Sequence, residues 1–228
     1  LKLEFGEDHT GRVSHETIYL SLFIQARGAL KRELLTHLRR AGAVRRARGA
    51  KARNQRAAFI LDAPSIRERP AEVADRAIPG HWEGDLLAGA ANTHIATLVE
   101  RHSRFVPLVG VEGKDTRSVV GALTRQMGAL PEQLRRSLTW DRGTELATHA
   151  QFTVATDLKV YFCDPQSPWQ RGSNENTNGL LRQYLPKGTD FSQLTQPQLD
   201  DIAEKLNTRP GETLSFHTPA ATLDAALR

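Results

Sequence analysis

Three acids in this chain of 228 residues fall where a carboxylate needs an explanation. Asp85 interrupts an apolar run, Trp82–Ala88, where burying an acid is costly without a partner or a metal. Asp141 ends the run Leu138-Thr139-Trp140 and is followed by a turn, Arg142-Gly143. Glu175 falls in the first turn of a helical pattern, where free backbone N–H groups and the helix dipole favour an anion. Three carboxylates held together repel one another, and hard divalent cations bound through oxygen relieve that repulsion. Two such ions ~3.5–4 Å apart activate the attacking oxygen and stabilise the leaving oxygen of a phosphodiester. This is the chemistry of nucleases, polymerases and strand-transfer enzymes. Taken singly, each acid reads more readily as surface or as a helix cap, so the case rests on the elements around them.

Neighbouring residues extend the site. Glu83, two residues before Asp85, points to the same side of a strand. It is either an outer carboxylate or an exposed acid. Asn178 and Arg182, at i+3 and i+7 from Glu175, share its helix face, while Leu181, Tyr184 and Leu185 suit the core. An acid, an amide and an arginine on one stripe suit a metal site beside a DNA backbone, although an ordinary amphipathic helix shows the same spacing. Gln170, Arg171 and Asn174, in the preceding loop, add donors for phosphate. Trp169 either stacks on a base or packs under its loop, packing being the commoner outcome. His81, His94 and His102 lack metal-ligand spacing and read as structural. The single cysteine, Cys163, excludes an internal disulfide and a zinc site built on cysteine pairs. A reducing, cytoplasmic setting fits that count.

The elements that must position these residues follow from the pattern of apolar and turn residues. His81–Gly89, His94–Arg101 and Arg104–Val111 read as three consecutive antiparallel strands, with a hairpin at Ala90-Ala91-Asn92-Thr93. Helical spacing over Lys114–Met127 is followed by a short strand, Leu138–Asp141. A helix over Glu145–Thr156, a strand over Lys159–Asp164 and a loop with Pro165 and Pro168 come next. Helices over Asn174–Tyr184 and Gln198–Asn207 complete the order β-β-β-α-β-α-β-α. That is an α/β, ribonuclease H-like order, a mixed sheet flanked by helices. In such a layout strands one and four are neighbours, so Asp85 and Asp141 project side by side with the start of the Glu175 helix facing them.

The N-terminal part differs. Ser14 reads as the N-cap of a helix through Ile18, Leu22 and Phe23. Gly28 separates it from a second helical pattern at Leu30, Leu34, Leu35 and Leu38, which suits part of a helix-turn-helix or a plain helical hairpin. Residues 27–56 hold eleven Lys or Arg, among them Arg39, Arg40, Arg45, Arg46, Arg48 and Lys51, against the single acid Glu33. That segment carries +10 of a net charge of +5 and leaves the rest at −5. A block this basic is a footprint for a polyanion. The organisation expected is a partial helix-turn-helix DNA-binding region over 1–41, a basic, Pro-containing linker over 42–75, and a catalytic domain over 76–228. No apolar run approaches the ~18–20 residues of a membrane span.

The stretches Gly80-His81-Trp82-Glu83-Gly84-Asp85-Leu86, Leu138-Thr139-Trp140-Asp141-Arg142-Gly143 and Tyr161 to Asp190 resemble the IS-thirty family of bacterial insertion-sequence transposases. So do the 33 residues between Asp141 and Glu175, the tail Leu206-Asn207-Thr208-Arg209-Pro210 with Thr218-Pro219, and Ser14 to Tyr19 in the helix-turn-helix region. The resemblance implies a DDE transposase with a ribonuclease H-like integrase core. It implies two divalent ions on Asp85, Asp141 and Glu175, normally Mg2+ with Mn2+ as substitute. DNA cleavage at the element ends and strand transfer of the 3′-hydroxyl into target DNA would follow. The partners implied are inverted-repeat ends, target DNA and further copies of the chain on that DNA, in the cytoplasm at the nucleoid. The Ala90–Thr93 hairpin lacks the basic residue usual in relatives, Arg142 stands where a neutral amide is common, and the start at Leu1 is expected to omit the first part of the DNA-binding region. A retroviral-type integrase would call for a His/Cys zinc module, which this sequence lacks. A DNA-binding protein without catalysis is opposed by the intact acid triad.

Overall fold

The computed structural model describes Val13, Ser14, Thr17, Ile60 and residues 63–165 and 167–228. The chain divides into two units, Leu1–Ala52 and Arg53–Arg228. In the first, the backbone N–H of Thr17, a helical residue, donates to Ser14 Oγ at 3.0 Å, the hydrogen bond of a serine N-cap. The remaining expectations for 1–56, including Arg39, Arg40, Arg45, Arg46, Arg48 and Lys51, lie outside the described residues.

The second unit is a five-stranded mixed sheet with helices on both faces. Strands β1 (His81–Ala88), β2 (His94–Glu100) and β3 (Leu108–Val111) form an antiparallel meander. Ala91 and Asn92 both adopt left-handed φ, 50° and 57°, which gives a tight hairpin whose twist matches the strands. Helix α1 (Thr116–Gly128) crosses to β4 (Ser137–Trp140), and α2 (His149–Thr156) crosses to β5 (Lys159–Phe162). Both added strands are parallel, and the sheet order is β3-β2-β1-β4-β5. Helices α3 (Gly172–Leu181), α4 (Gln196–Asn207) and α5 (Pro219–Ala226) follow. This is the ribonuclease H-like arrangement expected, with strand four beside strand one.

Strand alternation sorts side chains into two cores. Trp82, Leu98, Leu138, Trp140 and Phe162 pack with Val119, Leu123 and Met127 of α1 and Phe152 of α2. Leu87, Ile95, Val99 and Leu108 pack on the other face with Leu180 and Leu181 of α3 and Leu199, Ala203 and Leu206 of α4. Gly84 is required inside β1 because the Trp140 ring lies where its Cβ would be. Among the described residues no helix is long and apolar enough to cross a membrane.

Several boundaries differ from expectation. The third strand begins at Leu108, not Arg104. Arg104 takes a left-handed φ of 63°, and the Asn207 side chain occupies the Val106 N–H and C=O at 2.8 and 2.9 Å. The helix expected from Glu145 is split into a 3-10 turn, Thr144–Leu146, and α2. The Glu175 helix starts earlier, at Gly172, and ends at Leu181. Helix α5 was not anticipated; Thr218 caps it by accepting from the Ala221 N–H, and Pro219 opens it.

Candidate active site

On β1, Trp82 and Leu86 face the α1/α2 core and Leu87 faces the α3/α4 core. Glu83 and Asp85 therefore share the α3 side. On β4, Leu138 and Trp140 take the α1/α2 side, which leaves Thr139 and the following Asp141 towards α3. Glu83 and Thr139 are register partners across the parallel pair, so Asp85 and Asp141 fall next to each other two residues further on.

One guanidinium joins them. Arg171 Nη1 lies 3.2 Å from Asp85 Oδ1, and Nη2 lies 3.4 Å from Asp141 Oδ2. Nη1 also donates to the Gly84 carbonyl at 2.7 Å. Asn178 Nδ2 donates to the other oxygen of Asp85, Oδ2, at 3.2 Å, and the Leu86 N–H donates to Oδ1 at 2.9 Å. The Gly143 N–H orients Asp141 through Oδ1 at 3.0 Å. Burial pushes the Asp85 carboxyl above its ordinary value and the charge of Asp141 adds to the push, against the pull of Arg171. Burial also works against the charge on Arg171, but the two aspartates more than offset it and hold its pKa above the usual arginine value.

The head of α3 is tied to the same strand. Glu83, fully buried, accepts the Ser173 and Asn174 N–H groups on Oε2 at 2.9 and 3.0 Å and pairs with buried Arg101 through Oε1 at 2.8 Å. It is thus neither an outer carboxylate nor an exposed acid: it satisfies backbone donors that a helix start leaves without partners. Asn174 donates to the carbonyls of Glu83 and Thr97, both at 3.0 Å, and accepts from Thr97 Oγ1 at 3.1 Å. Fully buried, it holds helix to sheet and has no donor left for phosphate. Arg171, 8% exposed, is likewise turned inward.

Glu175 stands exposed in the first turn of α3. Among the described residues no three acid, histidine or cysteine side chains converge as a ready metal cluster, so two of the three expected acids are brought together and Glu175 is not gathered with them. Gln170 is spent on Asp164, accepting its N–H at 2.8 Å and donating to Oδ2 at 3.1 Å. Arg182 donates to the Ala88 carbonyl at 2.9 Å. Of the two outcomes open to Trp169, packing under its loop is not found: the residue is 70% exposed. Burial raises the Cys163 thiol to about 11, so it is no ready thiolate. Arg101 escaped the sequence reading; its only signal is an arginine directly after an apolar strand.

The integrase core domain family matches residues 75–168. The chain is 51% identical over 216 residues to the transposase InsI of insertion sequence element IS30A from Escherichia coli (strain K12), covering 94% of this chain and 56% of InsI. It is 49% identical over 230 residues to the transposase for insertion sequence element IS1086 from Cupriavidus metallidurans, covering 100% of this chain and 67% of that relative. The chain belongs to the IS30 family of transposases. It spans little more than half the length of the InsI relatives it matches. Among solved structures, a chain of the simian T-cell lymphotropic virus intasome in complex with PP2A regulatory subunit B56 gamma superposes with a TM-score of 0.50 at 18% identity. That match covers 62% of this chain and 53% of the other, and it is a likeness of fold. The Asp85, Asp141 and Arg171 constellation of this IS30-family chain is built on the fold so matched, and Glu175 lies just beyond the residues that the integrase core family covers.

Proposed function

We propose that this chain catalyses DNA cleavage at insertion-sequence ends and strand transfer of the freed 3′-hydroxyl into target DNA, using two divalent ions held by Asp85, Asp141 and Glu175. The observation that carries the reading is the single guanidinium shared by Asp85 and Asp141. Two neighbouring carboxylates on adjacent strands accept one positive charge between them, which is what a cation site demands. The donor set is all hard oxygen, with Glu175 exposed at the head of the helix that Glu83 ties to the strand of Asp85. That chemistry fits Mg2+, with Mn2+ as substitute. When bound, the ions would supply activation of the attacking oxygen and charge stabilisation at the leaving oxygen.

The protein's own residues orient the donors. Asn178 and the Leu86 N–H hold the Asp85 carboxylate, the Gly143 N–H holds Asp141, and Arg171 keeps the pair together. Asn178 and Arg182, on the helix of Glu175, stand where the DNA backbone would run, with Arg39, Arg40, Arg45, Arg46, Arg48 and Lys51 as further phosphate contacts, while Gln170 serves by holding Asp164. The partners are inverted-repeat ends, target DNA and other copies of the chain assembled on them, at the nucleoid in the cytoplasm. The named relatives, transposases of IS30A and IS1086, support the same reading. The test is a strand-transfer assay with labelled element ends and Mg2+, comparing wild type with Asp141→Asn. Product from wild type alone is the expected result; equal product from both ends the proposal.

A further inference from the structure

Three guanidinium groups gather at the head of α3, on the carboxylate side of the sheet. Arg101 is 4% exposed, pairs with Glu83, and keeps an Nε without a partner among the described residues. Arg69 Nη1 donates to Thr139 Oγ1 at 3.2 Å, and Arg104 Nη1 donates to Ser173 Oγ. Thr139 is the register partner of Glu83, and the Ser173 N–H is bound to Glu83, so the three anchors adjoin one another. The local acids are already committed. Glu83 serves Arg101 and the start of α3; Glu100 is turned inward to the Gly80 N–H at 3.0 Å and to the Ser103 N–H and Oγ, both at 2.6 Å. Among the described residues neither Arg69 nor Arg104 has a carboxylate within 4.0 Å.

Half-buried guanidinium groups without an anion are unfavourable, because desolvation is not repaid by an opposite charge. Burial lowers both Arg69 and Arg104 below the usual arginine value and Arg76 adds to it, the more distant charge of Glu83 offsetting this only in part. Arg104 is moreover presented from a left-handed backbone, φ 63°, a conformation that costs a non-glycine residue energy and persists only where its surroundings impose it. An arrangement that spends strain and desolvation on gathering positive charge is suited to an external anion.

We propose that Arg69 and Arg104, backed by Arg101, form a phosphate-binding shelf for the DNA strand next to the reacting phosphodiester. The proposal rests on the reading of the chain as a DNA transposase. The Glu83/Thr139 row and the Asp85/Asp141 row are successive same-face rows on β1 and β4, about 7 Å apart at ~3.4 Å per residue. A strand whose scissile phosphate lies at the aspartates thus brings a neighbouring phosphate to the shelf. Guanidinium forks match phosphate oxygens bidentately and remain charged at any working pH.

The test uses the full chain and a fluorescein-labelled DNA duplex, with affinity measured by anisotropy over a series of NaCl concentrations. Arg69→Gln and Arg104→Gln should each weaken binding and lower the slope of log K against log salt by about 0.9, the release expected for one lost phosphate contact. Arg69→Lys and Arg104→Lys keep the charge and should keep the wild-type slope. Unchanged slopes in both glutamine variants, with wild-type binding intact, overturn the shelf and leave the transposase reading standing. A slope that falls equally in the lysine and glutamine variants, together with a lower melting temperature, assigns the arginines to folding and also overturns it. A wild-type chain that binds no duplex at any salt overturns the transposase reading, and the shelf with it.

Discussion

Replacing Glu83 with glutamine keeps the length of the side chain and one acceptor oxygen but deletes the charge facing Arg101. Arg101 is 4% exposed, and burial brings its pKa down to about 10 even with Glu83 against it. Desolvation of the guanidinium thus works against the attraction, as is general for buried ion pairs. Breaking one side of the pair is nonetheless severe, because a buried charge left unpaired costs roughly 3–5 kcal/mol. The amide oxygen can still accept the Ser173 and Asn174 N–H groups, but its NH2 then meets the donors of Arg101. We expect Glu83→Gln to lose about 4 kcal/mol. In a domain of this size that lowers the melting temperature by roughly 8–16 °C. The double variant Glu83→Gln/Arg101→Met removes the orphaned charge and should recover at least half of the loss. Urea unfolding followed by circular dichroism in metal-free buffer measures both. A single variant within about 1 kcal/mol of wild type, or a double variant no better than the single, refutes the claim that Glu83 is needed to offset the buried charge of Arg101.

Two further outcomes follow from burial. His81 is 5% exposed, its Nδ1 bonds Ser137 Oγ at 2.8 Å, and its Nε2 has no partner among the described residues. Burial, with Arg136 adding to it, lowers its pKa to about 4. Below the ordinary imidazole value of about 6.5 the unfolded chain takes up a proton that the folded chain refuses, so stability is lost as pH falls from there through about 4, by roughly 3 kcal/mol at most. His81→Asn should flatten that stretch of the stability curve in urea unfolding, and parallel curves for variant and wild type would sink the assignment. Trp82 and Trp140 are 0% and 1% exposed against 70% for Trp169, so acrylamide should quench chiefly Trp169. Trp169→Phe is expected to leave a blue-shifted emission that resists acrylamide; emission still readily quenched would contradict the exposure of that ring.

What the sequence determined by itself was local and periodic. Alternation along Trp82–Ala88 placed Glu83 and Asp85 on one face, because successive strand residues point to opposite sides. Apolar runs bounded by turn residues predicted three antiparallel strands, and the ribonuclease H-like layout that the element order matched puts strand four beside strand one, hence Asp85 beside Asp141. Where a boundary failed, a distant residue was responsible: Asn207 claims the backbone of Val106 from 101 positions away and helps keep β3 short. The identity of the partners was likewise out of reach. Glu83 read as an outer or exposed acid, yet its carboxylate caps a helix 91 positions on and pairs with an arginine 18 positions on. Arg171 and Asn174 read as phosphate donors, yet one joins the two aspartates and the other disappears into the helix–sheet contact. A residue type and its spacing specify which face a side chain takes. Which charge or backbone donor meets it there is decided by contacts between segments far apart in the chain, and only the folded sheet and the helix docked on it bring those segments together.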